Sequence, residues 1–308
     1  MPNWLIGKIK KNVQTLTLGR CTPFCAVLLP QNFSTINYEK ISTPRIVFYP
    51  FPCHSLALWF VVAYWSHQPK APNAFWTGFF ELAGLLAPVG VAAYLFVRDK
   101  ALLSDLKARF IGKNLLSNRY FWITLLFPPI SIIMAQLISL DLGHSLDQFY
   151  ISGQPSFSSA PFNAWFVLCL APVVEELAWH TYGTDALRSK WSLFTSSVIF
   201  TVYWGLWHLP LFFVKDYYQS NIHAEGLLYT INFFVSLFAF VFIINWLYYK
   251  SGRNVLIAIL FHLVANVSNE IFATHPDSKV IQSGLFAILM GYILVKDRKL
   301  FFNELSVT

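Results

Sequence analysis

Three short strings hold most of the groups in this chain that could move a proton in an apolar setting. They are VVEELAWHTYG at 173–183, YWGLWHLP at 203–210 and LFHLVANVSNE at 260–270. Glu175 and Glu176 are neighbours in the first string. Two carboxylates so close repel each other when both are charged, so one of them needs a partner or contact with water. Glu176 and His180 are four residues apart, share one face of a helix and can pair directly. Glu175 projects about 100° away on the same helix and is left to face a cavity. His208 lies two residues before Pro210. A proline there loosens the helix, which membrane-depth backbone tolerates where it lines a wet cavity. His262 and Asn266 again share a face, and an amide beside an imidazole can orient water or stabilise an oxyanion.

Together these groups point to a water activated for attack on a carbonyl, with Glu175 as general base assisted by a histidine. The same carboxylate with His208 and His262 could instead hold a divalent metal such as zinc. No HExxH-type ligand pair is present, which favours the metal-free version.

The setting of these residues follows from composition. Of 308 residues, 56% are hydrophobic and 12% charged, against roughly 25% charged in an ordinary soluble domain. Too little polar material remains to cover a water-exposed surface. A membrane-spanning helix needs about 20 mainly apolar residues, and eight segments qualify as candidates: 47–66, 73–97, 119–140, 162–187, 192–214, 226–249, 254–273 and 279–295. Arg98, Lys100, Lys107, Arg109 and Lys113 follow the second span, whereas 141–161 contains no Lys or Arg. By the positive-inside rule this alternation places both termini in the cytoplasm. The chain is therefore read as an all-α, polytopic transmembrane bundle of about eight spans, integral to a membrane and in contact with its lipids. Residues 1–45 form a cytoplasmic or interfacial lead, 46–300 the bundle, and 160–270 the chemistry. The net charge of +7 does not indicate nucleic acid, because its Lys and Arg lie between apolar stretches rather than on one face. Cys21 and Cys25 form a C-x₃-C pair with no second pair at zinc-site spacing, so no metal or disulfide role is assigned to them.

In order and separation the three strings resemble the CPBP family of intramembrane proteases, which contains the type 2 CAAX prenyl proteases and bacteriocin-processing or immunity proteins. The resemblance rests on Glu175-Glu176 with His180, Trp204 four before His208, and His262 four before Asn266, and it covers about 160–270. It implies that Glu175 is the catalytic carboxylate, that His208 and His262 assist, and that Asn266 serves the oxyanion, with Glu176 and His180 supporting. It also implies helices around a water-filled intramembrane cavity and a membrane-associated or prenylated protein or peptide as substrate; no cofactor is favoured, with a divalent metal such as zinc the alternative. Two positions depart from the family pattern. Trp204 stands where Phe is usual, read as one bulky aromatic for another. His180 stands where Arg is expected, and a histidine lacks the permanent charge and bidentate fork of a guanidinium. The alternative class is a non-catalytic scaffold or a proton-coupled transporter, although no internal repeat of the transporter kind is present. Glu81, Asn245 and Glu270 are read as packing groups, Trp204 and Trp207 as core aromatics, and the basic 98–119 segment as a topology signal.

Overall fold

In the computed structural model residues 51–70, 72–110, 115–159 and 161–303 are described, so the 1–45 lead with Cys21 and Cys25 lies outside the described residues. Polar caps start most of the long helices. Asn73 caps α2 (Ala74–Arg98), Asn118 caps α4 (Arg119–Leu140) and Asn163 caps α5 (Ala164–Ala178). Ser192 caps α7 (Leu193–His208), Asn254 caps α10 (Val255–Ile271) and His275 caps α11 (Pro276–Lys296). Each of these side chains accepts a hydrogen bond from an otherwise orphaned amide of the first turn. The remaining helices are α1 (Phe51–Ser66), α3 (Lys100–Phe110), α6 (Thr184–Arg188), α8 (Tyr218–Glu225), α9 (Leu227–Lys250) and α12 (Arg298–Phe302). Among the described residues β-structure is limited to two isolated bridges.

Over the described residues each of the eight apolar segments coincides with helix. Ala74–Arg98, Arg119–Leu140, Leu193–Phe213, Leu227–Lys250 and Pro276–Lys296 are long and apolar enough to cross a membrane. α1, α5 and α10 have 16, 15 and 17 residues. α5 continues without a break through a π-helical turn, Trp179–Gly183, into α6. The segment 98–119 is more than a charged connection: it contains α3, whose Arg109 is buried.

α5 packs against both α2 and α10. α4 lies against α10 and α11, α9 against α7 and α11, and α1 against α2. Two apolar clusters result. One gathers Trp59, Val174, Trp179, Trp204 and Trp207, and the other Phe242, Ile243, Leu247, Ile257 and Phe261. α1 and α2 approach closely at Gly84, where a Cβ would collide with the Trp59 indole. The Trp59 indole N–H donates to Glu81 O at 3.1 Å, and Ser55 Oγ donates to Gly84 O at 2.9 Å.

Candidate active site

A cavity of about 500 Å³ opens between the helices, and Glu175 of α5, His208 of α7 and His262 and Asn266 of α10 all line it. Three separate parts of the chain thus bring one acid and two imidazoles to a common space.

Trp204 stands at their centre. Its indole Nε1–H donates to Glu175 Oε2 at 2.9 Å. Its ring lies 5.1 Å from that of His208 and meets the His262 ring at 5.5 Å and 90°. The sequence reading of Trp204 as a core aromatic, interchangeable with Phe, is therefore incomplete. Trp204 is buried, but its N–H holds one oxygen of the carboxylate, which Phe cannot do. The other oxygen has no hydrogen bond of ordinary geometry among the described residues, and Glu175 lines the cavity.

Each histidine is oriented by a bond at Nδ1. His208 Nδ1 donates to Trp204 O at 2.8 Å, within one turn of the same helix. His262 Nδ1 meets Glu176 Oε1 at 2.7 Å. In each case Nε2 has no protein partner among the described residues, and both rings line the cavity. The carboxylate that holds a histidine is thus Glu176, whereas Glu175 is held by an indole.

Glu176 pairs with His180 through Oε2 and Nδ1, the i, i+4 contact expected from their spacing. A chain of bonds fixes the far side of His180. Ser197 Oγ donates to Leu193 O at 2.7 Å and so accepts from Asn245 Nδ2 at 2.9 Å. Asn245 therefore turns Oδ1 to His180 Nε2, also at 2.9 Å, and that ring nitrogen is the donor. Both nitrogens of His180 face oxygens, so the ring bridges Glu176 to α9 in the place where Arg was expected. Asn245, read from sequence as packing, completes this bridge.

The π turn behind His180 leaves backbone carbonyls exposed to other partners, and π turns recur at functional sites. Arg109 supplies the donors, with Nη1 2.6 Å from Thr181 O and 3.4 Å from His180 O. Arg109 also pairs with Asp185 at 2.9 Å and with Asp105. Arg253 joins the same two acids at 2.6 and 3.0 Å. Tyr248 and Tyr249 donate to Asp185 at 3.0 and 2.8 Å. Arg109 was read only as part of a topology signal. Its burial depends on a partner 71 residues away or more, which spacing along the chain does not reveal.

Glu81 and Glu270 also line the cavity. Glu270 pairs with Lys279 at 2.9 Å and accepts the Ser156 amide at 2.7 Å, tying the loop before α5 to α10 and α11. Among the described residues one set of three metal-ligating groups converges within 4.8 Å, and it consists of His144, His275 and Asp277 rather than Glu175, His208 and His262.

A family model described as type II CAAX prenyl endopeptidase Rce1-like matches residues 157–268, the stretch that carries Glu175, Glu176, His208, His262 and Asn266. The CAAX prenyl protease 2 of Methanococcus maripaludis is 33% identical over 267 residues, covering 85% of this chain and 97% of that protein. With its apolar helices and its central acid and imidazoles, the chain belongs to the CPBP family of intramembrane proteases, as a multi-pass membrane protein of the Rce1-like CAAX endopeptidase kind.

Proposed function

We propose that this chain cleaves a peptide bond near the C-terminus of a prenylated, membrane-associated protein, using a water activated by Glu175 without a metal. The observation that carries the reading is the shared cavity, in which a carboxylate with one oxygen held by an indole meets two imidazoles with unpartnered Nε2 atoms. The relative's name, CAAX prenyl protease 2, supports the substrate class. The apolar lining from Trp59, Leu85, Phe166, Phe233 and Phe240 suits a lipid-modified chain.

In this mechanism the other oxygen of Glu175 takes a proton from water as the water oxygen bonds to the scissile carbonyl carbon. The carbonyl π bond breaks and its electron pair moves to oxygen. The Asn266 side-chain amide donates to that oxyanion, while His208, whose proton sits on Nδ1, offers Nε2 as an acceptor for the attacking water. Glu175 then returns the proton to the departing nitrogen as the C–N bond breaks. His262 orients the water, held in turn by Glu176. Both chain termini lie on the cytoplasmic side in this reading.

The test is Glu175→Gln in purified protein, assayed on a farnesylated peptide. Turnover is expected to fall roughly 10²–10⁴-fold, the usual worth of a positioned general base, with the melting temperature held. Wild-type turnover in the variant would end the proposal. Turnover that disappears with EDTA and returns with zinc would transfer the reaction to a metal held by Glu175, His208 and His262. The chelation arm is run in a His144→Ala background, so that an ion bound outside the cavity does not enter the result.

A further inference from the structure

His144 lies in the turn that leaves α4, and His275 and Asp277 lie at the start of α11. Nε2 of His144 is 3.0 Å from Oδ2 of Asp277, and Nδ1 of His275 is 3.6 Å from the same oxygen. Ligands held about 2.0–2.2 Å from a tetrahedral zinc ion stand roughly 3.4 Å apart. The two separations bracket that value. The imidazoles lie one over the other, with centroids 4.0 Å apart and planes at 31°, so their donor edges address one carboxylate oxygen.

An ordinary ion pair uses one histidine, and the second, His275, caps α11 while its ring lies over the first. The neighbouring bonds also suit a metal. Asp277 Oδ1 accepts the Tyr229 hydroxyl at 2.7 Å, which fixes the carboxylate and leaves Oδ2 for the site. Such an outer partner is the usual companion of a ligating carboxylate. Nδ1 of His275 accepts the Asp277 amide at 3.2 Å, so it carries no proton, and an ion would take that lone pair in place of the amide. The side chains of His144, His275 and Asp277 are 21%, 45% and 36% exposed. That leaves an entry path and room for a water as fourth ligand.

We infer that His144, His275 and Asp277 bind a divalent transition-metal ion of the zinc class. Two imidazoles with one carboxylate favour that class over magnesium or calcium, which prefer all-oxygen shells. The ion fastens the loop after α4 to the start of α11, and through Tyr229 to α9. Tyr229 and Pro276 line the cavity, so the clamp sets part of its rim.

The test uses the full-length protein in detergent, stripped with EDTA and titrated with ZnCl₂ by calorimetry, with thermal unfolding in parallel. One zinc per chain is expected, with a rise of several degrees in melting temperature and no comparable effect of MgCl₂. His144→Ala, which leaves the α11 cap intact, should weaken zinc binding at least tenfold and cancel the rise. Glu175→Gln should retain both. The inference is overturned if the wild type takes up no stoichiometric zinc, if His144→Ala binds as the wild type does, or if Glu175→Gln abolishes binding.

Discussion

Glu175 and Glu176 occupy successive positions on one helix, and each has its own partners. Glu175 is held by the Trp204 indole, and Glu176 by His180 and His262. The single N–H at Trp204 can be tested by removing it. A hydrogen bond to a charged group is worth about 1.5–3 kcal/mol, or roughly one to two powers of ten in rate. Trp204→Phe should therefore lower kcat by about 10–100-fold on a prenylated peptide with little change in KM. Unchanged kcat would deny Trp204 any part in positioning the carboxylate. His180 offers a second test. Removing one partner of a buried pair costs about 3–5 kcal/mol, so His180→Ala should melt well below the wild type. His180→Arg should recover most of the loss, since a guanidinium can reach both Glu176 and Asn245. The carboxylates, the two cavity histidines and Asn266 were legible because polar groups stand out in apolar strings. The indole N–H was hidden because tryptophan is equally at home as an apolar filler.

At the scale of elements, the π turn after α5 depends on Arg109 of α3, which meets its carbonyls and pairs with Asp185. Arg109→Ala should destabilise the protein by about 3 kcal/mol, the low end for a broken buried pair, because Arg253 still faces both acids. It should also lower activity by loosening the turn that carries His180, as read by thermal unfolding and turnover of one preparation. Across the bundle, Asp297 at the end of α11 accepts Lys250 Nζ and Trp246 Nε1 of α9, each at 2.7 Å. Partial burial alone would raise the Asp297 carboxyl, but donation from Lys250 and Trp246 outweighs it and holds the group below the usual carboxylate range. A carboxyl lowered in the folded state adds stability above its unfolded value, near 3.9, and loses it as pH falls through the folded value. Asp297→Asn should therefore lower the melting temperature at pH 7 and leave it nearly unchanged near pH 2. An equal loss at both values would contradict the assignment. The long helices were legible from apolar length. α3 and α8 were not, because 11 and 8 residues of mixed polarity give a weak pattern.

For the whole molecule, apolar length marked eight segments, but nothing in it says which helices become neighbours. That α2 and α10 pack against α5, and that α9 reaches His180 through Asn245, follows from packing between residues far apart in sequence. The cavity was legible from the face that Glu175 presents, from Pro210 after His208 and from the family resemblance; its aromatic walls and the Glu270–Lys279 tether were not. One consequence follows from α5, in which adjacent residues serve opposite clients. Each added residue turns a helix by about 100°, so inserting or deleting one between Asn163 and Glu175 would swing one acid onto the other's bearing and turn the second away from both clients. Apolar swaps along that stretch leave its phase alone. The segment should therefore drift freely in composition over evolutionary time while its length stays fixed.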